Sequence, residues 1–172
     1  LGLNVVAARG LQALEENQDF IAALMEKDRP EALEKRRQKI YAHSCGGLHF
    51  VQAGVQGGLL IGEPGAELRA RRQLDVLKFR WEAERAIYRR TLAANPKYAP
   101  LLLVQELKFF GHVLETFALA SKWGMELTAA DARFFRWVTA DLERAVEQLK
   151  PIFAAQDSLR KSAPQTYYDL IG

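Results

Sequence analysis

The spacing of proline and glycine is the feature that most limits what this chain can fold into. Between these residues lie long segments rich in Ala, Leu, Glu, Arg and Gln, which favour helix. No segment shows the sustained alternation of polar and apolar residues that is typical of a half-buried strand. The helix-breaking positions are Pro30, residues 62–65, residues 95–96, Pro100, Gly124 and Pro151. The chain is therefore predicted to be all-α.

Five long helices and a short C-terminal helical piece are predicted from these breaks. The five helices cover residues 4–27, 28–61, 66–94, 98–123 and 128–150. Thr128 and Asp131 resemble a capping box at the start of the fifth helix, and Gly124 is typical of the end of the fourth. Because the connections are short, successive helices should be antiparallel, as in an up-and-down helical bundle. Residues 1–172 are predicted to form a single domain, which is long enough to bury a core.

The composition predicts a soluble globular protein, with 49% hydrophobic and 26% charged residues. The chain starts with Leu1 rather than Met, so we expect an upstream segment that was removed. That segment could be a signal peptide, a tag or a disordered start. The single cysteine, Cys45, excludes an intrachain disulfide and leaves the cellular compartment open.

The third helix carries most of the excess positive charge. Residues 65–97 contain nine basic and four acidic residues, a balance of +5 in a chain whose net charge is +3. The favoured interpretation is a solvated outer face, because the acidic residues are interleaved at helical spacing. The alternative is a contact surface for an acidic protein partner. Nucleic acid is not expected, since no aromatic platform or groove-reading motif accompanies the charge. The basic side chains concerned are Arg69, Arg71, Arg72, Lys78, Arg80, Arg85, Arg89 and Arg90.

The second predicted helix contains an uncharged run over residues 40–62, preceded by the basic segment 35–39. Length and flanking charge resemble a membrane span. Polar residues and six glycines interrupt the run, however. The sequence offers no second membrane-spanning segment that could shield these polar groups from lipid. A helix at the centre of a soluble bundle is therefore favoured over a membrane location. The fourth helix is also nearly apolar all round and is expected to be central.

These two apolar helices carry a candidate binding site. Cys45, His49 and Gln52 recur at helical spacing on the second helix, and His112 and Glu115 share a face of the fourth. If the two helices are parallel, His49 lies 62 − 49 = 13 residues before the break at position 62. His112 lies 124 − 112 = 12 residues before the break at position 124. The two histidines should then lie within roughly 2 Å of the same height, with Gln52 level with Glu115.

Three interpretations of this layer remain open. The first is a zinc, iron or copper site formed by Cys45, His49, His112 and Glu115, with Asp141 of the fifth helix as a further possible ligand. The second is a b-type haem held by His49 and His112; covalent haem is excluded because no CxxCH motif is present. The third is a structural network of buried polar side chains.

Enzyme motifs do not accompany this layer. The HExxH pattern, paired Glu-x-x-His motifs and a phosphate-binding glycine loop are all absent from the sequence, and Cys45 beside His49 is a weak candidate nucleophile. The predicted function is therefore a non-enzymatic bundle that binds a metal ion or a planar small ligand in its core. The alternative is a protein-interaction or adaptor domain whose histidines are structural. A different face of the second helix is marked by Gly47, Gly54 and Gly58. Close packing against another helix is the favoured interpretation of this face, and a ligand groove is the alternative.

Overall fold

The computed structural model describes residues 2–35, 39–61 and 65–171. These residues form an all-α bundle without a strand, as the sequence predicts. The long helices are α1 (Leu3–Glu26), α2 (Leu48–Ile61), α3 (Ala66–Ala94), α4 (Ala99–Lys122) and α5 (Ala129–Ala154). The C-terminal piece consists of two short helices, α6 (Gln156–Ser162) and α7 (Pro164–Ile171).

The helices are packed in an up-and-down arrangement around α2, which contacts α1, α3 and α4, while α5 packs on the outside of α4. Glu15 and Gln18 of α1 bond Arg69 and Gln73 of α3, so these two helices run in the same direction. Helices α3 and α5 are likewise parallel, and α2 and α4 run opposite to them. The buried core is mostly aliphatic and aromatic, with Trp81 near its centre.

The prediction of one long helix over residues 28–61 is wrong. Regular α-helix covers only Leu48–Ile61, and short 3-10 turns occupy Pro30–Ala32, Lys39–Ala42 and Ser44–Gly47. The part of the prediction that concerns residues 36–38 lies outside the described residues. The physical reason for the break is a turn in which Cys45, Gly46 and Gly47 take φ values of 52°, 60° and 80°. These left-handed conformations cannot continue a right-handed helix.

The fifth helix begins as predicted but continues past its predicted end. The Thr128 side chain accepts a hydrogen bond from the Asp131 N–H, and the Asp131 carboxylate accepts one from the Thr128 N–H, which confirms the capping box. Pro151 lies inside the helix, which extends to Ala154. Glu147 and Pro151 are both exposed, so water can replace the donor that the proline lacks.

The glycines of α2 serve helix packing, so a ligand groove on this face is not supported. A Cβ built on Gly54 would lie 2.5 Å from Leu14 of α1, and one on Gly58 would lie 2.9 Å from Ala70 of α3. Gly47 does not belong to this face, because it lies in the turn before the helix. In the described part of the chain, no helix combines the length and apolar character that crossing a membrane requires.

The basic side chains of α3 mostly pair with carboxylates, and several of these belong to other helices. Arg69 pairs with Glu15, Arg71 with Asp131, and Arg85 with Asp141. For Arg80 the prediction of a solvated face is wrong. Its side chain is 1% exposed and pairs with Glu84 inside the bundle. The cations of α3 thus hold neighbouring helices together.

Candidate metal centre

Three potential metal ligands converge where the turn before α2 meets the middle of α4. Cys45 lies in the turn, His49 in the first turn of α2 and His112 on α4. One ligand atom from each of these residues lies within 4.8 Å of the others. The imidazole rings of His49 and His112 are in edge-to-face contact, with centroids 4.6 Å apart. Gln52 and Glu115, each three residues further along, are also in contact, so the two helices are parallel with the predicted register.

The hydrogen bonds around the histidines leave one nitrogen of each ring for a metal. His112 Nδ1 lies 2.9 Å from Glu115 Oε2, and His49 Nδ1 lies 3.3 Å from Gln52 Oε1. A carboxylate or amide oxygen only accepts hydrogen bonds, so each neutral ring donates from Nδ1 and keeps its lone pair on Nε2. Gln52 Nε2 in turn donates to Glu115 Oε2 at 3.0 Å, which links the two helices at the predicted level.

Glu115 supports His112 and is not one of the three converging ligands. The hydrogen bonds from His112 and Gln52 hold the pKa of Glu115 below its ordinary value. A carboxylate behind a ligating histidine orients the ring and makes it a better donor to a metal. Asp141, which the sequence suggested as a further ligand, instead pairs with Arg85 and Arg144. Glu115 therefore lies behind a candidate ligand, and Asp141 forms ion pairs away from the three converging atoms.

The site lies at the surface, although the sequence predicts a place in the core. Cys45 and His49 are exposed, and His112 is partly buried. The reason is the late start of α2 at Leu48, which puts His49 at the end of the helix rather than in its middle.

A haem does not fit between these two histidines. Axial imidazoles on opposite sides of a haem iron have ring centroids on the order of 6 Å apart, because each Fe–N bond spans about 2 Å. The observed separation is 4.6 Å and the rings touch each other, so no macrocycle can pass between them. A single small ion, bound on the same side of both rings, needs no such space.

The donor set fits a tetrahedral ion with one position left for water or another ligand. Thiolate and imidazole bind zinc at about 2.3 and 2.0 Å, so three ligand atoms within 4.8 Å need only small side-chain rotations to meet one ion. Protein-family models, curated proteins and solved structures gave no match to this chain. Function is therefore inferred from the chemistry of these residues.

A buried ionic cluster beside this centre was missed by the sequence analysis. Glu84 accepts hydrogen bonds from Arg80 Nε at 2.6 Å and from the Tyr41 hydroxyl at 2.7 Å, and its other oxygen lies 2.5 Å from Lys35 Nζ. Burial alone would raise the pKa of Glu84, but the charges of Arg80 and Lys35 more than offset this and lower it. Burial and the nearby Glu84 carboxylate raise the pKa of Tyr41.

One signal of this cluster was present in the sequence. Glu84 interrupts the apolar face of α3 that Leu77, Trp81 and Tyr88 define, and it lies one turn after Arg80. Charged residues at core positions are rarely tolerated without partners, so such an interruption indicates a buried ion pair. The contributions of Lys35 and Tyr41 left no such signal, because they depend on the non-helical path before α2.

Proposed function

We propose that this chain is a metal-binding helical bundle that holds one transition-metal ion through Cys45, His49 and His112. One thiolate and two neutral imidazoles suit zinc and copper ions, which prefer nitrogen and sulfur over oxygen ligands. The observation that carries the proposal is the convergence of three such ligand atoms within 4.8 Å from two separate elements. No enzymatic reaction is part of this proposal.

The backbone of Cys45 supports a metal site over a purely structural network. This residue has a φ of 52°, a left-handed conformation that costs a residue other than glycine about 1 kcal/mol. Such strain persists where the surrounding structure requires it, often at binding sites. A polar network of His49, Gln52, Glu115 and His112 would not need the thiol, whereas a metal ion would use it as the third ligand.

The test is zinc binding by protein that has been stripped of metal on a chelating resin, measured by isothermal titration calorimetry. We expect one zinc ion per chain. His49→Ala and His112→Ala should each abolish the binding, and the double variant should be no worse than either single one, because the ligands act together. Cys45→Ser should weaken binding strongly. Cobalt should give the absorption of a thiolate-bound ion in the wild type but not in Cys45→Ser.

His43→Ala is the matched control, because His43 is an exposed histidine two residues from Cys45 that bonds Asn17 instead. This variant should bind zinc like the wild type. Thermal melting with and without a chelator separates the structural alternative. If the chelator leaves the midpoint of zinc-loaded wild-type protein unchanged while both histidine variants melt early, the metal proposal fails and the polar network explains the histidines.

A further inference from the structure

A small cavity adjoins the candidate metal centre and shares residues with it. Its volume is about 230 Å³. Cys45 and His112 lie on one side, and the buried ionic cluster of Lys35, Arg80 and Glu84 forms another. The remaining wall is formed by Tyr41, Gly46, Tyr88, Gln105, Lys108 and Phe109. The cavity therefore combines cationic groups with three aromatic rings.

The ionic cluster carries more positive than negative charge. Two cations, Arg80 and Lys35, share the single carboxylate of Glu84. The Lys35 ammonium also donates to the Tyr88 hydroxyl at 3.1 Å, but that group is neutral. Among the described residues of the cluster, one positive charge next to the cavity is thus left without a carboxylate. In a partly desolvated place, such a charge attracts an anion more strongly than it would in water.

The Arg80 guanidinium has an unused donor. Its Nε bonds Glu84, and one terminal nitrogen donates to the Gly46 carbonyl at 2.7 Å. The other terminal nitrogen, Nη1, is buried without a hydrogen-bond partner among the described residues. The side chain is 1% exposed and held by the rings of Tyr41 and Phe109, at 4.3 and 5.3 Å from their centroids. Because Arg80 forms part of the cavity wall, an oxygen bound there could supply the missing acceptor.

We propose that this cavity binds a small organic carboxylate, a site beyond the proposed metal centre. The carboxylate group pairs with Lys35 and Arg80, and the apolar body of the ligand packs against Tyr41, Tyr88 and Phe109. The cavity volume corresponds to about eight water molecules in the liquid, which suits a ligand of about ten heavy atoms or fewer. The aromatic wall favours a carboxylic acid with an apolar body over inorganic phosphate, which is polar on all sides.

The probes are benzoate, acetate and inorganic phosphate, each titrated calorimetrically into metal-stripped protein. We expect saturable one-site binding of benzoate, tighter than that of acetate or phosphate. Lys35→Met should weaken benzoate binding at least about tenfold, since it removes a charged hydrogen-bond donor. Lys122→Met removes an equal charge from the exposed end of α4 and should leave the affinity unchanged.

A second variant avoids the ionic cluster, whose loss could unfold the chain. Gln105→Glu places a negative charge on the cavity wall and should weaken benzoate binding, whereas Ser121→Glu adds the same charge about 24 Å along α4 and should not. No saturable benzoate binding, equal binding in Gln105→Glu, or a preference for phosphate would each overturn the proposal. The benzoate titration uses protein without metal, so its outcome does not depend on zinc binding. A negative benzoate result would not contradict the metal proposal, and a negative zinc result would not contradict the carboxylate site.

Discussion

At the scale of single residues, the turn Cys45-Gly46-Gly47 decides where the candidate ligands meet. Gly47 has a φ of 80°, and a Cβ built on it would lie 2.3 Å from the Ile40 carbonyl oxygen, so only glycine fits there. This turn ends the irregular segment and starts α2 directly before His49. It also brings the Cys45 thiol beside two imidazoles that belong to two different helices.

Glu115 is predicted to tune the metal centre through His112. Glu115→Gln keeps an acceptor near His112 Nδ1 but removes the negative charge. Zinc affinity should therefore fall about tenfold, which is the low end of the effect expected when the hydrogen-bond partner of a metal-binding histidine is changed. Calorimetric zinc titrations of the variant and wild type measure this. Glu147→Gln removes an exposed carboxylate of α5 that pairs with Lys150 and should bind zinc normally. A loss as complete as that of His112→Ala would make Glu115 a direct ligand instead.

At the scale of elements, α2 is placed by close packing against its neighbours. Its glycines allow α1 and α3 to approach, and its His49 and Gln52 face α4. The uncharged character of this segment therefore serves burial between helices, as the sequence suggested. The same packing sets the height of His49 against His112, so the candidate centre depends on helices that do not themselves carry a ligand.

Gly54→Ala is expected to destabilise the chain by about 1–3 kcal/mol. The new Cβ would lie 2.5 Å from Leu14 Cδ2 and 2.8 Å from Leu14 Cβ, so α1 would have to move. Gly111→Ala is the matched helical control, because nothing lies within 4 Å of its added Cβ, and it should stabilise by about 0.5–1 kcal/mol. Chemical denaturation of both variants measures the free energies of unfolding. Equal effects would contradict the close approach of α1 and α2.

At the scale of the whole molecule, ion pairs connect helices that are distant in sequence. The carboxylate of Asp131, at the start of α5, forms two ion pairs with α3. Its oxygens lie 2.6 Å from Arg71 Nη1 and 2.5 Å from Lys78 Nζ. Burial alone would raise the pKa of Asp131, but the hydrogen bonds from Lys78 and Thr128 lower it to about 2. This carboxylate thereby joins the helix cap of α5 to the basic face of α3.

Acid should weaken the bundle through Asp131. A pKa that is lower in the folded than in the unfolded chain contributes stability above the unfolded value of 3.8, and this is lost as the pH falls towards 2. The contribution is about 2 kcal/mol. Asp131→Asn should therefore destabilise the protein at neutral pH and show a shallower loss of stability between pH 4 and 2. Denaturation across this pH range measures the effect. Asp157→Asn, at an exposed position of α6, should retain the wild-type slope.

Much of the candidate site followed from helical periodicity. The spacing of His49 and Gln52, and of His112 and Glu115, placed these side chains on facing stripes, and nearly equal distances to the next helix break set the register. The cavity beside them could not be predicted in this way. Its wall includes Lys35 and Tyr41, whose positions depend on a chain path that has no simple period.

The sequence by itself determined four of the five long helices, the antiparallel order and the pairing of His49 with His112, because these depend on local propensity, short connections and a constant rise per residue. Only the tertiary structure decided that the three candidate ligands lie at the surface, that Cys45 reaches the two histidines from a left-handed turn, and that Arg80 is buried. These outcomes depend on contacts between residues far apart in the chain. Arg80 donates to the Gly46 carbonyl, Tyr41 donates to Glu84 and Gln52 donates to Glu115, and no local pattern encodes contacts across such distances in the chain.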